Sequence, residues 1–160
     1  MARILIVYQS KTGHTAAMAE AVEAGVASQG VEVIRKKIEE AGVDDLPGAD
    51  GIIIGTPTYF GSVTADIKRL IDKSIKYHKK LEGKVGAAFA SAGALGGGGE
   101  TAILDVLRAF LVHGMIVPGF ARDGHYGPLS VGLPDDERRE VCQEFGARVA
   151  RLVKAVSGRL

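Results

Sequence analysis

The sequence predicts an α/β protein: a doubly wound sheet of five parallel strands with helices on both faces. Three observations carry this. Short apolar runs alternate with longer segments of helical period, as strand–helix–strand units require. The central runs, Ile4-Leu5-Ile6-Val7, Ile52-Ile53-Ile54 and Val85-Gly86-Ala87-Ala88-Phe89, are apolar without alternation, the pattern of strands buried on both faces. Segments rich in Ser, Thr and Gly follow those runs, where open parallel sheets bind ligands. The 160 residues match the size of one domain, so residues 1–160 are taken as one folding unit.

In chain order the strands are expected at 3–8, 31–37, 50–55, 84–90 and 115–117. Val31 and Val33 followed by Arg35, Lys36 and Lys37 describe an edge strand, because charge on an edge discourages pairing with another chain. The first helix carries an apolar stripe of Ala17, Ala21, Val22, Gly25 and Val26. The next uses Ile67, Leu70, Ile71 and Ile75, and the third Ile103, Val106, Leu107, Phe110 and Leu111. The last repeats Val141, Phe145, Val149, Leu152, Val153 and Val156 behind Pro134 and the acidic trio Asp135, Asp136 and Glu137, which suit a helix N-terminus. The stretch from Glu39 to Ala49 is short for a crossover and is expected to hold an irregular turn or a brief helix.

Charge and composition exclude several function classes. Twenty Lys and Arg against nineteen Asp and Glu give a net charge of +1, which argues against nucleic-acid binding driven by counterion release. The same balance does not suit an acidic electron shuttle. The opening run from Met1 to Tyr8 is too short for a membrane span or a signal core, so a cytoplasmic protein without membrane insertion is expected. A single cysteine, Cys142, allows no intrachain disulfide, and its place in an amphipathic helix points to plain packing; no metal site is expected.

Three loops carry the chemistry. The first strand runs into Ser10-Lys11-Thr12-Gly13-His14-Thr15, where hydroxyls and backbone N–H groups at a helix start can surround a phosphate. It has neither the Walker A order nor a GxGxxG fingerprint. Taken alone, the loop is equally well a helix cap. The third strand ends in Thr56-Pro57-Thr58-Tyr59-Phe60-Gly61, which puts two aromatics where a flat ring could pack and a glycine where the backbone can reverse. One of the two aromatics is expected to anchor the next helix instead. The fourth ends in Ser91-Ala92-Gly93-Ala94-Leu95 and the glycines from 96 to 99, a loop of accessible backbone donors able to bind the polar edge of a flavin.

With these motifs together, the chain resembles the flavodoxin superfamily over its whole length. Within it the chain is similar to the WrbA-type NAD(P)H:quinone oxidoreductases, through Ser10 to Thr15, the Gly-Thr-Pro-Thr-Tyr-Phe-Gly segment at 55–61, Ser91 with its glycines, and His113-Gly114-Met115. The resemblance implies a sheet order of 2-1-3-4-5 and FMN as cofactor. It implies that Ser10, Lys11, Thr12, Gly13, His14 and Thr15 hold the phosphate, that Pro57, Thr58, Tyr59, Phe60 and Gly61 lie along the isoalloxazine, and that Ser91, Ala92, Gly93, Gly96 and Gly97 hold its other edge. His113 is implied as a further flavin contact, where the dipole of a helix end would by itself account for a histidine.

Tyr59, His125 and Tyr126 are substrate-side positions by the same resemblance, although Asp123 to Pro128 also fits an ordinary surface loop. The implied activity is two-electron reduction of a small quinone by NAD(P)H, with flavin N5 and no catalytic side chain carrying the chemistry. The alternative is a flavodoxin-type carrier docking on a redox protein. A homo-oligomer, dimer or tetramer, is also implied. Two departures concern the nicotinamide and substrate side: Thr12 stands where the family has tyrosine, and the chain has no tryptophan.

Overall fold

The computed structural model describes residues 1–158; residues 159 and 160, the end of the expected 1–160 unit, lie outside the described residues. Five strands form one parallel sheet: β1 (Arg3–Tyr8), β2 (Glu32–Lys37), β3 (Gly51–Pro57), β4 (Val85–Ala92) and β5 (Leu129–Val131). Their order is β2-β1-β3-β4-β5, as expected from the resemblance. The helices are α1 (His14–Ala27), α2 (Ala65–Lys73), α3 (Gly99–Val112) and α4 (Asp136–Ser157). The short stretch after β2 holds a 3₁₀ turn at Val43–Gly48.

Successive side chains of a strand point to opposite faces, and here both faces are covered. Ile4, Ile6, Ile53 and Phe89 pack under α1 and α4 with Met18, Val22, Phe145 and Val149. Leu5, Val7, Ile52 and Ile54 pack under α2 and α3 with Ile67, Val106 and Phe110. This double burial is why the central runs show no polar alternation, and each such side chain contributes roughly 1.5–3 kcal/mol by leaving water. The β2 edge is half-buried from Glu32 to Lys36 and exposed at Lys37, as suits a charged edge. Cys142 is fully buried in the first of these layers, and burial pushes its thiol pKa up to about 12.

The fifth strand departs from expectation. Within 115–117 only Ile116 bridges the sheet, opposite Val85, and Pro118, which lacks an N–H, follows at once. The chain leaves the sheet over residues 118–128 and returns as Leu129–Val131 beside Ala90–Ala92. The excursion is held on α4 by Phe120 against Phe145 and by the Arg122–Glu144 ion pair. The helical stripes also end sooner than expected, since Ile75 and Leu111 are exposed.

Candidate functional site

The loops after β1, β3 and β4 meet at one end of the sheet, because parallel strands all deliver their C-termini to the same edge. Ser91 joins the three. Its hydroxyl meets that of Thr15 at 2.8 Å, both groups buried, and its carbonyl accepts from the Thr58 backbone N–H at 2.9 Å and from the Thr58 hydroxyl at 2.8 Å. Thr15 belongs to the first turn of α1 and Thr58 follows β3, so one residue at the end of β4 sets the spacing of all three loops.

The first loop is built around the Ser10 hydroxyl. Its oxygen accepts from the N–H groups of Gly13 and Ala16, both at 3.2 Å, which winds the chain into α1. Gly13, at φ +91°, occupies the left-handed conformation that this entry to the helix demands. The N–H groups of Thr12, His14 and Thr15 make no hydrogen bond among the described residues, and Gly13, at the N-cap, has no side chain to take them. Lys11, Thr12 and Gly13 are exposed, His14 is half-buried, and no acidic residue stands in the first turn. The unsatisfied donors of a helix N-terminus, with its partial positive charge and the open Ser10 and Thr12 hydroxyls, suit a phosphate.

The second loop is a tight reversal. Tyr59 and Ser62 exchange backbone hydrogen bonds of 2.9 and 3.0 Å, and the two residues between them, Phe60 and Gly61, have φ of +51° and +72°. Positive φ at both central positions marks a type I′ turn. A bulky residue is unfavourable there, yet Phe60 occupies it and is fully exposed. Tyr59 is 42% exposed, and the Lys11 ammonium lies 6.0 Å from its ring centre. Neither aromatic is the buried anchor that was expected of one of them. Val63 and the Thr64 N-cap fix α2 instead.

The third loop leaves β4 with Ser91 and Ala92 buried, while Gly93, Gly96 and Gly97 are exposed and Leu95 is 93% exposed. A turn from the Gly97 N–H to the Ala94 carbonyl, 3.0 Å, folds it toward α3. Exposed aromatics on one loop, free backbone on another and unpaired donors on the third are the surfaces, dipoles and donors that FMN needs for its ring, its polar edge and its phosphate. The residues present therefore fit that group.

Residues beside the first loop tie it to α2. Gln9, buried, accepts from the Thr64 hydroxyl and donates to Asp66 at 3.0 Å, which ties the end of β1 to the start of α2. Arg69 and Gln9 both donate to Asp66, and the guanidinium beside it above all holds its carboxyl below the usual range. The Thr-Ala-Asp order at 64–66 reads as a helix N-cap and was the available signal.

One expected position, His113, does not join the cluster. His113 ends α3, and 14 residues at about 1.5 Å per residue carry that helix from the loop end of the sheet to the opposite end. There the Gly114 carbonyl accepts from the Gly83 N–H ahead of β4, and His113 is buried with Nε2 2.7 Å from the Ser74 hydroxyl. His113 is thus a packing residue distant from the loops. His125 and Tyr126 lie on the excursion before β5, and neither hydrogen-bonds to the three loops among the described residues. The His125 Nδ1 is 3.3 Å from the Phe120 carbonyl, and Tyr126 is 48% exposed.

Residues 34–122 match the family described as NADPH-dependent FMN reductase, a stretch that includes the aromatic turn and the Ser91 loop. A flavodoxin of Aquifex aeolicus is 36% identical over 96% of this chain and 88% of its own length. An NAD(P)H dehydrogenase (quinone) of Archaeoglobus fulgidus is 32% identical over 96% of this chain and 98% of its own. Among solved structures, the flavodoxin, WrbA-like protein from Agrobacterium tumefaciens superposes with a TM-score of 0.83 at 27% identity, covering 98% of this chain and 99% of that one.

Proposed function

We propose that this chain, which belongs to the NADPH-dependent FMN reductase family of flavodoxin-like proteins, is an FMN-dependent oxidoreductase that passes two electrons from NAD(P)H to a small quinone. The observation that carries the reading is the meeting of the exposed Tyr59–Phe60 turn with the donor-lined start of α1, both tied to Ser91. Bound FMN supplies hydride acceptance and electron release. The chain's own residues bind, orient and shield. Backbone N–H groups of Thr12, His14 and Thr15 and the Ser10 and Thr12 hydroxyls hold the phosphate. Pro57, Thr58, Tyr59, Phe60 and Gly61 line the ring, with Tyr59 on the side open to substrate. Ser91, Ala92, Gly93, Gly96 and Gly97 hold the ring's polar edge, with the exposed backbone of Gly93 and Gly96 presenting donors that favour negative charge gained on reduction, while the Gly97 N–H is engaged by the Ala94 carbonyl. Lys11 adds positive charge, and His14 a ring N–H donor, at the same end of the sheet.

The second reading, a flavodoxin-type carrier, draws on the full-length flavodoxin relative. Against it stands the balance of charge, +1 overall, with Glu100 the acidic residue nearest the glycine loop in sequence. Steady-state oxidation of NAD(P)H with benzoquinone by the FMN-loaded protein separates the two. Turnover is expected. Absence of turnover, with two well-separated one-electron reduction steps in a redox titration, overturns the reductase reading in favour of the carrier.

The proposal extends to a cytoplasmic protein acting as one domain and as a homo-oligomer, dimer or tetramer. No helix among the described residues is long and apolar enough to cross a membrane. Support for self-association comes from exposed apolar side chains on the helical surface away from the three loops, Ile75, Leu111 and Val112, which are 69%, 60% and 72% exposed.

A further inference from the structure

The aromatic turn is gripped from one side by the first turns of α3. The Thr101 hydroxyl donates to the Gly61 carbonyl at 2.5 Å and is shared with the Gly98 carbonyl at 2.7 Å. One turn further along α3, Asp105 accepts from the Ser62 hydroxyl at 2.5 Å and is itself paired with Arg108. Between these contacts the two backbones touch. A Cβ built on Gly98 would lie 2.5 Å from the Gly61 Cα.

We infer that Thr101 and Asp105 are positioning residues that clasp the Tyr59–Ser62 turn to α3, and through it set how the aromatic turn meets the isoalloxazine. The inference rests on the FMN reading for its functional half and on geometry alone for its structural half. A left-handed Phe60 is unfavourable by itself and persists where surrounding contacts over-determine it. Within the turn, the reciprocal Tyr59–Ser62 bonds close the hairpin but leave the outward carbonyl of Gly61 free to turn. The Thr101 hydroxyl takes that carbonyl, and Asp105 takes the Ser62 side chain. Both contacts come from a helix packed into the core through Ile103, Val106 and Phe110, so the turn inherits the rigidity of α3. Thr101 is exposed on α3, so replacing it leaves the core intact.

The test uses Thr101→Val, which keeps the shape and removes the donor, Thr101→Ser, which restores it, and Asp105→Ala. Chymotrypsin cleavage after Tyr59 or Phe60 in the apoprotein reads the clasp without flavin, with the thermal midpoint as the control for folding. FMN fluorescence quenching and the flavin's midpoint potential then read its consequence. Thr101→Val and Asp105→Ala are each expected to speed cleavage about tenfold and to raise the FMN Kd about tenfold, the loss of one good hydrogen bond. The potential is expected to shift, and Thr101→Ser to return all three quantities to wild-type values. Cleavage unchanged in Thr101→Val and Asp105→Ala, or Thr101→Ser behaving as Thr101→Val, overturns the clasp. Faster cleavage in a protein whose wild type binds no FMN upholds the clasp and removes the FMN reading. Faster cleavage with unaltered Kd and potential overturns the functional half.

Discussion

The hydroxyls of Thr15 and Ser91 meet at 2.8 Å in a buried position, joining the first turn of α1 to the end of β4 across 76 residues of chain. This contact couples the phosphate end of the site to its ring end, since the Ser91 carbonyl also holds Thr58. Thr15→Val leaves the Ser91 hydroxyl buried without that partner. The expected cost is about 1–3 kcal/mol in urea unfolding of the apoprotein, together with weaker FMN binding. A variant as stable as wild type would show that the contact does not hold the loops.

Thr12 is exposed and its hydroxyl bonds to nothing among the described residues, so Thr12→Asp should leave apoprotein stability unchanged. A carboxylate there opposes a phosphate carrying roughly −1.5 to −2 charges. FMN affinity is expected to fall at least tenfold while riboflavin, which lacks the phosphate, binds as before. Equal loss for both ligands would place the phosphate elsewhere.

Gly98 combines φ +93° with contact against the Gly61 backbone. Gly98→Ala therefore meets two penalties, a left-handed alanine costing roughly 1–2 kcal/mol and a clash that only separation of the loops relieves. Calorimetry should show a lowered Tm, and fluorescence titration a weaker FMN complex.

His113 carries a pH dependence of stability. Burial first, and then the neighbouring His78, whose ring centre is 5.6 Å away, lower its pKa below the ordinary 6.5. The unfolded chain thus binds a proton that the folded chain refuses, and stability increases with pH across the interval between the two values. The stabilisation is full above about pH 6.5 and is lost as pH falls through the folded value. Urea midpoints at pH 5 and pH 7.5 should differ less for His113→Gln than for wild type, since glutamine does not titrate there.

Cys142 is fully buried, with a thiol pushed up to about 12. The thiolate is the reactive form. Iodoacetamide at pH 8 should therefore leave the native protein unlabelled and label it fully in urea, as mass spectrometry would record.

Periodicity was enough for β1, β3 and β4, because a strand buried on both faces must be apolar at every position. Ile52 to Ile54 could hardly be anything else. The fifth strand was not legible in the same way. Met115-Ile116-Val117 is more apolar than Leu129-Ser130-Val131, and the choice rests instead on Pro118 and on which segment reaches the backbone of Ala90 to Ala92. The site shows the same division. Ser10 to Thr15, Tyr59 with Phe60, and Ser91 with its glycines stand out because their residue types are costly or unusual at strand ends. His113 came only from the resemblance, its residue type being what a helix end favours anyway, and it lies at the wrong end of a 14-residue helix.

What the sequence by itself determined is the class of protein: a parallel α/β sheet, the order in which its loops occur, and the residue types that suit phosphate and flavin. These follow from local chemistry, since burial, turn geometry and helix-end donors depend on residues near one another in the chain. Only the tertiary structure decided how those loops meet. Thr15 with Ser91, Thr58 with Ser91, and Thr101 with Gly61 are separated by 76, 33 and 40 residues. Such pairings depend on strand order and helix length together, which no local pattern encodes.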